Sequence, residues 1–188
     1  MKSLIHILCA TDSKYVPYCG VMLTSVFRNN SEDQLCIHVL GTNLNMDNKD
    51  DLQKNAKQYS QQIEIYDVDN DLTKYIPPTN ILDKNTHIAL ATYNRIFVLE
   101  LLPQNISKVL YLDCDLIVLG LLRGCWEQDL DGYALGAVID SGAMNCYSRL
   151  HLDPKKNMYF NGGVLLMNLD FWRMYGIQQK CIDYIAQN

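Results

Sequence analysis

Two aspartates, Asp113 and Asp115, stand at the end of an apolar stretch, KVLYLDCDLIVLG, residues 108–120. An ionised carboxylate is costly inside a strand unless a positive charge compensates it, so we expect the pair at the end of the strand. Because side chains alternate on an extended backbone, both acids can share a face while Cys114 points away. Two converging carboxylates suit Mg²⁺ or Mn²⁺, which commonly bridge acids to nucleotide phosphates. One capping and one solvated aspartate is an equally good interpretation of an isolated D-x-D motif.

A second acid follows the first apolar stretch, within LCATDSKY. Asp12 comes directly after a predicted strand, and Tyr15 lies near the start of a helix that Pro17 opens. The Asp12 carboxylate can accept hydrogen bonds from a base or a ribose, and the Tyr15 ring can stack on a base. An N-cap beside a partly buried tyrosine is the alternative.

Two further segments carry polar residues in apolar surroundings. Arg95 lies in THIALATYNRIFVLELLP, where it predicts either a surface arginine that snorkels or a forked donor for a phosphate or sugar hydroxyl. In MYFNGGVLLMNL, the residues Asn161, Gly162 and Gly163 precede a buried strand, so a ligand can approach the backbone closely. A plain turn explains the glycines equally well.

The elements that position these residues alternate between strands and helices, which predicts an α/β domain with a largely parallel sheet. Ligand sites of such sheets lie at the carboxyl ends of the strands. The predicted strands are 4–10, 35–41, 62–68, 108–113, 133–140 and 162–169, and the predicted helices are 17–30, 47–60, 88–102 and 176–188.

Composition limits the class of protein. A length of 188 residues with 48% hydrophobic residues suits one globular domain, and a net charge of -5 without a basic stripe argues against nucleic acid as a partner. Seven cysteines without a C-x-x-C pair fit reduced, buried thiols in a cytoplasmic protein better than a disulfide framework or a zinc site. The opening MKSLIHILCA predicts a core strand rather than a signal peptide, and no apolar run is long enough to span a membrane.

Taken in order, the segments ATDSKY, ATYNRIFV, KVLYLDCDLIVLG, LGAVID and YFNGGVLLMNLDFWR resemble glycosyltransferase family 8. These are retaining sugar-nucleotide enzymes that include bacterial lipopolysaccharide galactosyl- and glucosyltransferases and glycogenin. The resemblance implies a GT-A type fold with a Rossmann-like mixed sheet flanked by helices. It also implies a UDP-glucose or UDP-galactose donor, Mn²⁺ or Mg²⁺ as cofactor, and transfer of a hexose to a glycan or lipopolysaccharide acceptor.

The resemblance also implies the site residues. Asp113 and Asp115 match the metal ligands, and Asp140 and Asn161 match positions beside the reacting sugar. The positions that match the nucleotide-sugar site are Ala10, Thr11, Asp12, Tyr15, His87, Ile88, Arg95, Asp113, Cys114, Asp115, Asn161, Gly162 and Gly163.

The sequence departs from the family pattern at its end. Family members carry a D-Q pair and an H-x-x-G-x-x-K-P-W segment further along, and the 188 residues stop before both. We therefore expect residues 1–188 to be a single nucleotide-sugar-binding domain that lacks the C-terminal part of the family. The chain as given should then have little transferase activity, and at most peripheral membrane contact through the missing part. Two alternatives are an inactive UDP-sugar-binding domain and, more remotely, a haloacid dehalogenase-like phosphatase, whose D-x-D motif usually lies near the amino terminus.

Overall fold

A computed structural model describes residues 3–68, 90–140, 142, 146–147, 150, 153, 155 and 158–187 of the chain. Strands and helices alternate through these residues. The strands are β1 (Ile5–Asp12), β2 (Leu35–Thr42), β3 (Gln62–Asp67), β4 (Lys108–Leu112), β5 (Leu135–Ile139) and β6 (Phe160–Asn168). The α-helices are α1 (Val16–Asn29), α2 (Met46–Gln58), α3 (Val98–Leu101), α4 (Arg123–Trp126), α5 (Leu169–Tyr175) and α6 (Ile177–Gln187), with a 3-10 helix at Leu90–Phe97.

The six strands form one mixed sheet in the order β3-β2-β1-β4-β6-β5. The first four strands of this order run parallel, whereas β6 pairs antiparallel with both β4 and β5. The prediction of an α/β fold is confirmed, and so is the mixed sheet that the family resemblance implies: the sheet is parallel over four strands and antiparallel at β6. An apolar run such as β6 buries the same side chains in either direction, so its pattern does not reveal the direction of the strand.

Helices cover both faces of the sheet. The helices α1 and α2 pack on one face, where Met22, Leu23 and Phe27 of α1 are fully buried against β1 and β2. On the other face, α3 and α5 bury Val98 and Trp172 against the strands. All eight residues of β2 are buried, as expected for a strand that is covered on both sides.

The segment predicted as one α-helix at 88–102 has a different secondary structure over its described part, residues 90–102. It forms the 3-10 helix Leu90–Phe97 and then the single turn of α3. The Asn94 side chain, which is 3% exposed, donates to the Thr42 hydroxyl at 2.8 Å and so fastens the 3-10 helix to the carboxyl end of β2. A 3-10 helix of eight residues is longer than most, and this anchor accompanies the unusual length.

The cysteines and the helix lengths can be compared with the expectations from composition. All seven cysteines are free thiols, but the prediction that they are buried holds for only four of them, since Cys125 is exposed and Cys146 and Cys181 are partly exposed. None of the helices in the described parts of the chain has the length and apolarity of a membrane-spanning segment.

Candidate functional site

The carboxyl end of β4 carries Asp113 in a fixed position. Its backbone N–H donates to the carbonyl of Gly163 on β6 at 2.8 Å. Its Oδ1 atom accepts hydrogen bonds from the Tyr111 hydroxyl at 2.7 Å and from Nη2 of Arg95 at 2.9 Å. Charge-assisted hydrogen bonds of this kind are strong and short. One carboxylate oxygen is therefore saturated by the protein, while Oδ2 takes part in no hydrogen bond within the described residues.

Arg95 reaches this strand end from the 3-10 helix on one face of the sheet. Its side chain is only 14% exposed, its guanidinium carbon lies 4.2 Å from the centroid of the Tyr111 ring, and it also donates to the Gly162 carbonyl. Arg95 is thus not a snorkelling surface residue. The family resemblance implies a metal as the positive partner of Asp113, and the protein itself also supplies one, Arg95.

Tyr111 is a site residue that the sequence analysis missed. The side chain is 1% exposed and lies two residues before Asp113, on the same face of the strand. Burial raises the pKa of its hydroxyl well above the usual value; the Arg95 charge opposes this rise and Asp113 adds to it. The hydroxyl therefore stays protonated and donates to the carboxylate. The alternation of the strand was the signal that could have identified Tyr111.

The second acid of the motif has different surroundings. Asp115 lies in the turn after β4, is exposed, and has no hydrogen bond or ion pair among the described residues. Cys114 between the two acids is buried, and its thiol donates to the Ala10 carbonyl of β1 at 3.2 Å. Cys114 points inward, as the sequence predicted, whereas the shared face of Asp113 and Asp115 stays a prediction because residues 114 and 115 form a turn and not an extended strand.

The glycine pair lies inside β6 rather than in a turn, so the plain-turn interpretation is wrong. A Cβ on residue 163 would lie 2.8 Å from Oδ2 of Asp113 and 3.1 Å from Oδ1 of Asn161. The same Asn161 oxygen accepts the N–H of Gly163 at 2.8 Å. At Gly162 an added Cβ would have only an ordinary contact, 3.5 Å from Nη1 of Arg95. Gly163 is required because β6 passes directly against the Asp113 carboxylate.

Asp12 ends β1 at the same edge of the sheet as Asp113, because β1 and β4 are parallel. Its Oδ1 atom accepts the backbone N–H groups of Lys14 at 2.9 Å and Tyr15 at 3.0 Å, which closes the turn before α1. The N-cap of α1 is Tyr15, so the N-cap interpretation of Asp12 is wrong. Thr11 is buried at 1% exposure. The Tyr15 ring is 45% exposed, which leaves it open to a stacking partner.

Asp140 comes directly after β5, which ends at this edge as well because it is antiparallel to β6. Its N–H donates to the Tyr159 carbonyl at 3.0 Å, and its Oδ1 accepts the N–H of Gly142 at 2.9 Å. His87 and Ile88 lie outside the described residues. The other predicted site residues are gathered at the single edge where β1, β4 and β5 end and β6 begins.

The sequence of the chain matches the model of a known family. The family model described as Glycosyl transferase family 8 matches residues 6–188. The chain belongs to this family. Membership sets aside the haloacid dehalogenase-like alternative.

Relatives with curated names match nearly the whole chain. General stress protein A of Bacillus subtilis is 26% identical over 187 residues, which cover 98% of this chain and 63% of that protein. Lipopolysaccharide 1,3-galactosyltransferase of Salmonella typhimurium is 27% identical over 184 residues, 96% of this chain and 53% of the relative. The family 8 chain therefore spans between half and two thirds of the length of these relatives.

A solved structure identifies the fold. The galactosyltransferase LgtC, crystallised in complex with donor and acceptor sugar analogs, has a TM-score of 0.79 and 30% sequence identity, with 90% of this chain and 60% of that chain covered. The fold of the family 8 chain is of the GT-A type.

The carboxylates at the end of β4 fit a divalent cation of the kind that this family generally uses. Asp113 offers Oδ2, which lies close to Gly163 of β6 and carries no hydrogen bond within the described residues. Asp115 offers an exposed carboxylate two residues later. Hard oxygen donors of this kind suit Mg²⁺ and Mn²⁺.

Proposed function

We propose that this chain is the donor-binding part of a retaining hexosyltransferase that uses a UDP-sugar and a divalent cation. The observation that carries the proposal is the Asp113 carboxylate at the end of β4: Arg95 and Tyr111 fix its Oδ1, and its Oδ2, close to Gly163, has no hydrogen bond within the described residues. A carboxylate held in this way is preorganised to bind a cation in one orientation. Asp115 supplies the second ligand.

The remaining residues of the edge are proposed to hold the donor. Tyr15 stacks on the uracil ring, with Asp12 beside the nucleoside, since the Tyr15 ring is exposed and Asp12 keeps one oxygen outside its hydrogen bonds within the turn. Arg95 contacts the nucleotide and the donor sugar while it holds Asp113. Further proposed donor contacts are Ala10, Thr11, His87, Ile88, Cys114, Gly162 and Gly163.

The chemistry follows from these positions. The bond between the anomeric carbon of the hexose and the UDP oxygen breaks, the acceptor hydroxyl oxygen bonds to the anomeric carbon, and the hydroxyl proton leaves with UDP. When bound, the cation neutralises charge on the departing UDP. Arg95 adds fixed positive charge near the same group, which stabilises the developing charge without reorganisation. Asp140 and Asn161, beside the start of β6, orient the sugar.

The substrates are proposed from the named relatives. UDP-glucose or UDP-galactose is the donor, Mn²⁺ or Mg²⁺ is the cofactor, and a glycan or lipopolysaccharide is the acceptor. Support comes from the Salmonella typhimurium relative, which is named a lipopolysaccharide galactosyltransferase, and from the LgtC complex with donor and acceptor sugar analogs. The cytoplasmic location stays a prediction from the cysteine usage.

Calorimetry of UDP binding tests the proposal. With Mn²⁺ present, UDP should bind, and affinity should fall more than tenfold in EDTA or in Asp115→Ala, a loss of about 1.4 kcal/mol or more. The matched control is Asp51→Ala, an exposed acid on α2 whose nearest cation, Lys54, is 3.9 Å away. Equal affinity with and without metal would refute metal bridging.

Release of UDP from UDP-galactose and UDP-glucose then separates the enzyme from the alternative. Turnover that Asp115→Ala abolishes supports the transferase. Metal-dependent binding without turnover, with any acceptor, identifies an inactive UDP-sugar-binding domain instead.

A further inference from the structure

A second group of metal-ligating side chains lies near the opposite edge of the sheet. It consists of His6 on β1 with Cys36 and His38 on β2, which we call the histidine cluster. His6 and Cys36 are register partners in neighbouring parallel strands, and His38 stands two residues beyond Cys36 on the same face. The ligand atoms of the three side chains all lie within 4.8 Å of one another. Nδ1 of His6 is 2.9 Å from Nε2 of His38.

The histidine cluster is separate from the candidate donor site. His6 and Cys36 are each the second residue of their strand, whereas the donor site gathers at the carboxyl ends. Asp12 stands six positions after His6 on β1, which is about 20 Å along a strand at roughly 3.3 Å per residue. An ion at the histidine cluster therefore cannot be the cation of the D-x-D pair.

The surroundings orient the ligands. His38 is 2% exposed and Cys36 is 7% exposed. The other ring nitrogen of His38, Nδ1, lies 3.1 Å from the Tyr66 hydroxyl of β3, and the Trp126 ring lies 6.3 Å from the His6 ring. Metal-binding histidines usually bond through their second nitrogen to such a partner, which fixes the tautomer and the ring orientation. Tyr66 does this for His38 before any ion is bound.

We propose that the histidine cluster binds a transition-metal ion that prefers nitrogen and sulfur ligands, with Zn²⁺ as the representative. Two imidazoles and one thiolate are a donor set that suits Zn²⁺ or copper and does not suit Mg²⁺ or Mn²⁺. The ion replaces the hydrogen bond between the two rings: the proton between the two ring nitrogens moves to the other nitrogen of the ring that carries it, so both imidazoles stay neutral, and the thiol proton of Cys36 passes to solvent.

The distance between the two imidazole nitrogens is compatible with this assignment. Two nitrogens about 2.0–2.1 Å from a tetrahedral Zn²⁺ lie about 3.3 Å apart, so the rings need to separate by only about 0.4 Å from their present 2.9 Å. His6 lies at the rim and is only partly buried, which gives an ion access. Glu64, the exposed register partner of His38 on β3, lies on the same face and together with water is the available source of a fourth ligand.

The chain contains a rival thiol group, which the experiment has to exclude. Cys9, Cys19 and Cys114 also lie within 4.8 Å of one another, and they are buried in the core between the sheet and α1. Removal of Cys19 breaks this group and leaves the histidine cluster unchanged.

Titration of the reduced, metal-free protein with Co²⁺ and then Zn²⁺ is the test. We expect one equivalent of Co²⁺ to produce the visible bands of a tetrahedral site together with thiolate-to-cobalt charge transfer, and Zn²⁺ to abolish both. Cys36→Ser should remove the charge transfer, and His6→Gln, at the partly exposed position, should weaken Zn²⁺ binding by at least a hundredfold. Tyr66→Phe should weaken it by about 10 to 100-fold.

Cys19→Ala and Asp115→Ala are the matched controls and should keep the full signal. Far-ultraviolet circular dichroism of each variant verifies that it is folded. The absence of charge transfer in the parent protein, its persistence in folded Cys36→Ser, or its loss in Cys19→Ala would each overturn the assignment. UDP binding in Mn²⁺ is measured separately, so failure here does not affect the proposed donor site.

Discussion

Replacement of Gly163 by alanine should disturb the donor site through a single added carbon. The new Cβ would lie 2.8 Å from Oδ2 of Asp113, a separation below 3.0 Å that Cβ atoms essentially never show. The carboxylate cannot rotate away freely, because Tyr111 and Arg95 hold its other oxygen at 2.7 and 2.9 Å. Either β6 shifts from β4 or Asp113 gives up part of these bonds.

The magnitude follows from the competing terms. Overpacking of this kind typically costs about 1–3 kcal/mol, and the hydrogen bonds of a charged group contribute about 1.5–3 kcal/mol each. Because alanine has fewer backbone conformations than glycine in the unfolded chain, the substitution also raises the free energy of unfolding by about 0.4–1 kcal/mol. We expect a net loss of about 1–2 kcal/mol in the free energy of unfolding, which lowers the Tm by roughly 2–8 °C in a chain of this size. Affinity for UDP with Mn²⁺ should fall more than tenfold, because Oδ2 is the displaced atom.

Gly162→Ala is the matched control, since its Cβ would be 3.5 Å from Nη1 of Arg95. This variant should be as stable as the parent or more stable by about 0.5 kcal/mol. Urea unfolding of both variants measures the stability difference, and calorimetry measures UDP binding. If Gly163→Ala unfolds and binds like Gly162→Ala, the Asp113 carboxylate does not occupy the position described here. A stability loss without any change in UDP binding would retain the packing argument and contradict the role of Oδ2.

Three further predictions concern stability. Asp33→Ala should lower the free energy of unfolding in urea by about 3 kcal/mol, because it removes the carboxylate that lies 2.7 Å from the 14% exposed Arg123. As a control, Asp170→Ala removes a 65% exposed partner of Arg173 and should lower it by less than about 1 kcal/mol. Asn45→Ala removes the capping box of α2 and should cost about 1 kcal/mol. Burial, and then the charge of His6, lower the pKa of His38 from 6.5 to about 4. Between pH 6.5 and 4 the His38 side chain is therefore neutral in the folded protein and takes up a proton when the chain unfolds. With chelator present, stability should therefore be lost as the pH falls from about 6.5 toward 4, by about 3 kcal/mol, and His38→Gln should flatten this part of the profile.

The strands were predictable because their apolar runs are short and bounded by polar residues. The run at 108–113 becomes β4 at Lys108–Leu112, and the run at 4–10 becomes β1 at Ile5–Asp12. Short helices were missed: α4 has four residues and α5 has seven, too few for a repeating pattern. The direction of β6 depends on the path of the chain between β5 and β6, which hydrophobic periodicity does not encode.

The candidate site was predictable as a set of acids at strand ends, and the bonds among them were not. Alternation along the strand correctly placed Cys114 inward. The pairing of Arg95 with Asp113 joins two segments 18 residues apart, and it depends on the 3-10 helix that Asn94 anchors. The role of Gly163 depends on the approach of β6 to β4, which only the folded sheet produces.

The position of β6 in the sheet has a consequence for synthesis of the protein on the ribosome. Among the described strands β6 is made last, yet it inserts between β4 and β5, and β5 has no other strand partner. A nascent chain that has emerged only as far as β5 therefore exposes a bare edge of β4 and an unpaired strand, a state prone to aggregation. Such a nascent chain already contains Asp113 and Arg95 but lacks Gly163 of β6, which packs against the Asp113 carboxylate. Closure of the sheet and completion of the site are thus one late folding event, and a truncated translation product is left without either.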